Sequence, residues 1–158
     1  MVRTELDQEH GQIVGLRYFN VYGPHEEHKG TMASVAYHLH NQLKKSDQIK
    51  LFEGSDGYEN GEQRRDFIYV NDVVKVNLWF LCHKDISGIF NVGTGKSQTF
   101  NEVAQAVIDW NKKGEIVYIP FPENLEGAYQ SYTEADITNL KDCLLYTSPS
   151  PRYWLQSR

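Results

Sequence analysis

The stretch GQIVGLRYFNVYGP, Gly11 to Pro24, decides the fold class. Through Val21 it is short, β-rich and apolar, the character of a buried strand, and Gly23-Pro24 stops it. From Thr31, the residues Met32, Val35, Ala36, Leu39 and Leu43 recur at helical spacing. That recurrence predicts one apolar stripe on a helix running to about Lys45. A buried strand, a break and an amphipathic helix form one unit of an alternating pattern, which the rest of the chain repeats.

Ile49 to Glu53 is the next strand. The polar run DGYENGEQRR carries two glycines and predicts a loop or hairpin tip. Asp66 to Val70 is extended, and Asn71 is placed to cap a helix with Val73, Val74, Leu78 and Leu81 as apolar positions. Ile89 to Val92 predicts a strand ending in Gly93-Thr94-Gly95. Thr99 and Glu102 have the spacing of a capping box before a helix through Trp110. Glu115 to Phe121 is a further strand, and Thr133 starts a short helix. Strands and helices alternate, so the class is α/β.

A chain of 158 residues suffices for one domain with a real core. Its 40% apolar and 13% aromatic content describes a globular chain, not a disordered one. The net charge of −5, with both signs mixed, argues against a nucleic-acid surface but permits one phosphate pocket. No apolar run approaches the roughly 18 residues of a membrane span. MVRTELDQEH lacks the apolar region of a signal peptide. Cys82 and Cys143 give neither a disulfide framework nor a ligand set. A reducing, cytoplasmic location is expected.

RYFNVYGP resembles the strand-and-turn signature of extended short-chain dehydrogenase/reductases acting on nucleotide sugars. With HKGTMASVAYHL, LFEGS, RRDFIYVNDV, IFNVGTG and YIPFPENLEGAYQSYTEADITNL in order, the chain is similar to the ADP-glyceromanno-heptose 6-epimerase family from about Gln12 to Leu140. The resemblance implies a partial Rossmann-type fold, the later core strands plus a substrate-binding lobe. It implies an isomerase of heptose precursor synthesis for lipopolysaccharide, homo-oligomeric at full length and acting on ADP-heptose without nucleic-acid or membrane partners. Family members oxidise C6 of the heptose by passing hydride to a bound nicotinamide, NADP with NAD also possible. They then reduce the ketone from its opposite face. Such chemistry needs an acid/base within hydrogen-bond reach of the reacting oxygen.

By residue type alone, Lys29 is a solvated lysine in a polar turn. Its match to the family's HKG assigns it as the second acid/base, also touching the cofactor. An unperturbed lysine titrates near about 10.4, so a neutral Lys29 would require burial or a nearby positive charge, whereas a protonated one can donate to the forming alkoxide. The resemblance makes Asn20 a substrate contact and Val21 a cofactor contact through its backbone. Asn20 is equally suited to satisfying the turn before Gly23-Pro24. Thr31 and His38 match substrate residues; otherwise Thr31 caps the helix and His38 packs or faces solvent. Phe52, Glu53, Gly54 and Ser55 match the nucleotide-sugar segment, where a phenyl face covers a ring and Gly54 permits close backbone approach. Without the family, LFEGSDG is a strand entering a turn. Arg65 matches the arginine on substrate phosphate, a task suited to its forked permanent charge. Tyr129 matches another substrate contact; by residue type alone an isolated tyrosine is more often a packing residue.

Two other motifs fail. His25 and His28 flank two glutamates, but no metal site is expected, because short motifs of this kind match by chance. Gly93-Thr-Gly95 before Lys96 lacks both the GxxxxGK[ST] spacing and the last glycine of GxGxxG. The chain also contains no complete GxGxxG and no Tyr-x-x-x-Lys pair, the family's cofactor cradle and principal acid/base. It is therefore expected to be an internal or C-terminal fragment, inactive alone, with its epimerase part over 1–140. The segment 141–158 contains CLLYTSPSPR, which resembles a translated sequencing adapter, and is expected to be a non-native tail without helical periodicity. Another nucleotide-sugar epimerase or dehydratase, or a non-catalytic nucleotide-sugar-binding module, remain alternatives.

Overall fold

The computed structural model describes residues 11–123, 127 and 129–147. The first ten residues, and the expected non-native tail beyond 147 with Tyr153 and Trp154, lie outside them. The order is β1 (Val14–Tyr18), β2 (Asn20–Tyr22), a 3-10 segment (Glu27–Met32), α1 (Val35–Lys45), β3 (Gln48–Phe52), β4 (Arg64–Arg65) and β5 (Phe67–Tyr69). There follow α2 (Val70–Cys82), β6 (Gly88–Val92), β7 (Gln98–Thr99), α3 (Phe100–Asn111), β8 (Glu115–Ile119) and α4 (Thr138–Thr147). The alternation expected of an α/β chain is present. β1 pairs with β6, β2 with β5 and β3 with β8, all parallel, while the short β4 and β7 pair antiparallel. Parallel neighbours cannot be joined by a tight turn, and the intervening helices supply the crossovers.

The single strand expected over Gly11–Val21 is two. At Phe19 the chain changes partner: Phe19 N–H donates to the Val92 carbonyl at 3.0 Å, and Asn20 N–H donates to the Asp66 carbonyl at 3.0 Å. Apolar content identifies a buried strand, but only its neighbours decide where the ladder changes hands.

Two layers hold the core. α1 and α3 cover the β3–β8 pair through Leu39, Leu43, Ile49, Leu51 and Ala104. Trp79, Phe80, Phe90 and Leu140 join α2, β6 and α4, and Ile68, Val73 and Val92 continue that packing towards β5.

Five helix expectations need correction. α1 begins at Val35, not Thr31; Ser34 is its N-cap, accepting from Tyr37 N–H at 3.3 Å. Gly30, at φ 53° and ψ −124°, takes the chain out of the helical path, and Met32 is left 84% exposed. A left-handed φ of this kind is accessible to glycine at little cost. α2 begins at Val70, so Asn71 lies inside the helix and does not cap it. The sheet receives Val73, Trp79 and Phe80, whereas Val74, Leu78 and Leu81 face outward. The aromatic pairs Trp79–Phe80 and Phe80–Phe90, with centroids 4.9 and 4.7 Å apart, occupy the space against β6 and set the helix's rotation.

Thr133 starts no helix, because its N–H is committed to the Arg64 carbonyl at 3.1 Å. The last helix instead starts at Thr138 and carries helical structure past Leu140 to Thr147, with Cys143 and Leu144 packed on the Trp79–Phe90 cluster.

The capping box is present at α3. Thr99 Oγ1 accepts from Glu102 N–H at 3.0 Å, and Glu102 Oε2 accepts from Thr99 N–H at 2.7 Å. Thr99→Ala orphans one helix-end donor and is expected to cost about 1 kcal/mol. Urea unfolding of the chain measures this, and an unshifted midpoint would count against the cap's contribution.

Candidate functional site

Ligands of open α/β sheets bind outside the carboxyl ends of parallel strands. Here β2 and β5 run in register, Asn20 opposite Phe67 and Val21 opposite Ile68, and end at Tyr22 and Tyr69, whose rings lie 5.6 Å apart. Asn20 is half-buried; its Nδ2 donates to the Asp66 carbonyl at 3.2 Å and to Thr133 Oγ1 at 3.5 Å. Its amide therefore ties β2 to β5 and to the strand-like run at Thr133, not to the Gly23-Pro24 turn.

Beyond Pro24 the chain enters the 3-10 segment with Glu26 buried ahead of it. Glu26 Oε1 accepts from Gly23 N–H at 3.0 Å and Ser34 Oγ–H at 2.8 Å, and Oε2 accepts from Ser34 N–H at 2.7 Å. Lys29 Nζ lies 3.4 Å from Oε2. The Lys29 side chain is 39% exposed, that of Glu26 3%. Lys29 is thus part-exposed, and its charged partner is a buried carboxylate. Burial pushes the Glu26 carboxyl up, but hydrogen bonds from Ser34 and Gly23 and the Lys29 charge outweigh it, leaving its pKa below the ordinary glutamate value. Thr31 and His38 meet across the start of α1, with His38 Nε2 3.3 Å from the Thr31 carbonyl. Ser34, not Thr31, caps that helix.

A second group gathers around β3 and β4. Arg65 is 9% exposed, its guanidinium carbon 5.0 Å from the Tyr129 ring centroid and 5.8 Å from that of Phe100. Phe121 joins the group, 5.3 Å from Tyr129 and 5.6 Å from Phe52. Burial lowers the Arg65 pKa, and Tyr129 opposes this through charge and a hydrogen bond. Burial likewise raises the Tyr129 pKa against the pull of Arg65. Stacked on aromatic faces, a guanidinium keeps its planar fork oriented.

Gln63 Nε2 ties this segment down by donating to the Glu53 carbonyl at 3.1 Å and to Ser55 Oγ at 3.3 Å. Gly54 permits a close approach, but by the chain itself: a Cβ there would collide with the Tyr58 carbonyl oxygen. The β2–β5 register links the two groups, because Arg65 lies two residues before Phe67, the partner of Asn20.

The Gly93-Thr94-Gly95 turn is occupied. Asp66, fully buried, accepts from Thr94 N–H at 2.8 Å, Thr94 Oγ–H at 2.6 Å, Gly95 N–H at 2.9 Å and Ala135 N–H at 3.1 Å. A side-chain carboxylate fills the anion-binding nest a phosphate would need. Among the described residues, no group of three or more His, Cys, Asp and Glu is placed to hold a metal ion. Cys82 and Cys143 form no disulfide with each other. No described helix is long and apolar enough to cross a membrane.

Sequence reasoning missed Glu26, Ser34, Asp66, Phe100 and Phe121. Asp66 carried a signal, since a carboxylate immediately before the apolar run Phe67-Ile68 must be paired if that strand is buried. Glu26 was masked by the histidines around it.

Residues 2–93 match the NAD dependent epimerase/dehydratase family, and the chain belongs to that family. Over 140 residues it is 61% identical to the ADP-L-glycero-D-manno-heptose-6-epimerase of Alkalilimnicola ehrlichii, covering 89% of this chain and 44% of that protein. The fold is similar to the crystal structure of Helicobacter pylori ADP-L-glycero-D-manno-heptose-6-epimerase, with a TM-score of 0.74 and 32% identity over 95% of this chain and 43% of that one. It is also similar to UDP-glucose 4-epimerase of Thermotoga maritima, with a TM-score of 0.67 and 28% identity over 87% of this chain and 41% of that one. The chain spans less than half the length of these relatives.

Proposed function

We propose that this chain is the C-terminal part, over residues 1–140, of an enzyme that inverts C6 of ADP-glycero-manno-heptose by transient oxidation and reduction. The observation that carries this reading is the 61% identity to a heptose epimerase over 140 residues, 89% of this chain. Residues 141–158 are proposed as a non-native tail, although its first residues continue α4. The whole enzyme is proposed to be homo-oligomeric and cytoplasmic, and the isolated chain inactive.

The proposed cofactor is NADP, with NAD as the alternative. The carboxyl end of a parallel strand pair followed by an exposed ammonium suits one side of a nicotinamide nucleotide, with the Val21 backbone and Lys29 as its contacts. When bound, the nicotinamide supplies the hydride acceptor and donor. Lys29 is the catalytic residue of this segment: its ammonium hydrogen-bonds the oxygen on C6 and yields a proton as charge develops there. Asn20, Thr31 and His38 orient the sugar. Arg65 binds the substrate phosphates; Phe52, Glu53, Gly54, Ser55 and Tyr129 line the nucleotide side.

The test joins this sequence to the remaining part of the Alkalilimnicola ehrlichii protein and follows interconversion of the two C6 epimers by NMR. Turnover of ADP-heptose, with UDP-sugars left unchanged, is expected. Turnover of UDP-sugars only would favour the second reading, another nucleotide-sugar epimerase or dehydratase. Tight calorimetric binding of an ADP-sugar to the 158-residue chain alone would favour a non-catalytic binding module. In the joined enzyme, Arg65→Ala is expected to raise KM for the sugar nucleotide about 10–100-fold, the equivalent of a charge-assisted hydrogen bond. An unchanged KM would remove Arg65 from the phosphate site.

A further inference from the structure

We propose that Glu26 is a positioning residue, holding the Lys29 ammonium and the turn that carries it in one arrangement towards the reacting carbon. The proposal rests on the acid/base reading of Lys29. Its basis is a buried carboxylate with all its partners at one junction. Oε1 accepts from Gly23 N–H, where β2 has just ended, and from the Ser34 hydroxyl. Oε2 accepts from Ser34 N–H at the start of α1 and faces Lys29 Nζ at 3.4 Å. The backbone repeats the connection, with Lys29 N–H donating to the Glu26 carbonyl at 3.0 Å.

The strand bearing Asn20, the turn bearing Lys29 and the helix bearing His38 therefore converge on a single side chain that is 3% exposed. Lysine is a flexible point charge on a four-carbon stem, and its head has no fixed direction unless an acceptor supplies one. The 3-10 segment cannot do so alone. It is short, Gly30 breaks it, and none of its own residues is buried. Glu26 is too enclosed to meet substrate itself, which makes its role indirect. A catalytic group displaced by about 1 Å loses on the order of 10²-fold in rate, so such orientation is measurable.

The experiment has two arms. In the 158-residue chain, the Lys29 Nζ and Cε resonances are compared between wild type, Glu26→Gln and Glu26→Asp. Ordered, carboxylate-paired Lys29 signals are expected in wild type, partly retained with aspartate and averaged to those of a solvated lysine with glutamine. Wild-type Lys29 signals already matching a solvated lysine, or signals unmoved by Glu26→Gln, would overturn the proposal. In the joined enzyme, Glu26→Gln is expected to lower kcat at least 10-fold with KM within about 3-fold, and Glu26→Asp to restore part of the loss. Once Lys29 is alanine, adding Glu26→Gln is expected to change kcat by less than 2-fold, since residues acting through one another are non-additive. A purely structural Glu26 would instead give fully additive losses and would also overturn the proposal. If Lys29→Ala alone leaves turnover unchanged, the acid/base reading fails on its own, while the resonance arm still decides whether Glu26 orders Lys29.

Discussion

Asp66→Ala is expected to destabilise this chain by roughly 2–6 kcal/mol and to lower its melting temperature by many degrees. Asp66 is fully buried and accepts three backbone N–H groups and one hydroxyl, from Thr94, Gly95 and Ala135. Alanine removes every acceptor at once: the Ala135 N–H is left enclosed, the Thr94 and Gly95 N–H groups are left part-exposed, and the Thr94 hydroxyl keeps the Lys96 carbonyl at 3.0 Å. Each buried donor left unsatisfied costs about 1–3 kcal/mol. With one donor enclosed and two part-exposed, the loss is roughly 2–6 kcal/mol, a large share of the about 5–15 kcal/mol of a typical domain. Asp66→Asn keeps the volume and one acceptor oxygen but turns an NH₂ group towards other donors, so an intermediate loss is expected. Thermal unfolding by circular dichroism, with amide exchange at Thr94, Gly95 and Ala135, measures both variants. A melting temperature for Asp66→Ala within a few degrees of wild type would show that the turn finds other partners.

Lys29→Ala is expected to have the largest effect on chemistry: a fall of about 10²–10⁴-fold in kcat of the joined enzyme, the usual contribution of a positioned proton donor. Stability should hardly change. The Lys29 side chain is over a third exposed, its contact with Glu26 is long at 3.4 Å, and the buried carboxylate keeps three other hydrogen bonds without it. Glu26 keeps its Gly23 and Ser34 partners in the variant, so the junction stays closed. Single-turnover kinetics and the melting temperature, taken together, check this separation. Full turnover with alanine at 29 would remove the acid/base role, and a collapsed melt would assign Lys29 to the fold instead.

Much of the architecture was legible in the order of residues. The Thr99–Glu102 box lies where its spacing puts it, because both partners belong to one helical turn. β3 and β8 fall on their apolar runs, as Ile49 and Leu51 face a common layer with the period of a strand. The candidate site was legible in a different manner, through the similarity of HKG, LFEGS and RRDF to a family. The misplaced helix starts at Thr31, Asn71 and Thr133 have different causes. At Thr31 the local Gly30 kink overrides the apolar stripe, at Asn71 the helix opens one residue earlier after Tyr69, and at Thr133 the long-range pairing with Arg64 takes the N–H.

The sequence by itself determined the alternating α/β class, the strong helix cap and the set of residues with chemistry to offer, since these follow from periodicity, spacing and residue type along the chain. Only the tertiary structure decided that Asp66 fills the Gly93–Gly95 turn, that Arg65 lies among Tyr129 and Phe100, and that Glu26 joins β2, Lys29 and α1. The physical reason is burial. A carboxylate or guanidinium taken from water must find its partners wherever the folded chain brings them, and for Asp66 and Arg65 the partners Thr94, Gly95, Ala135, Phe100 and Tyr129 are dozens of residues away in sequence.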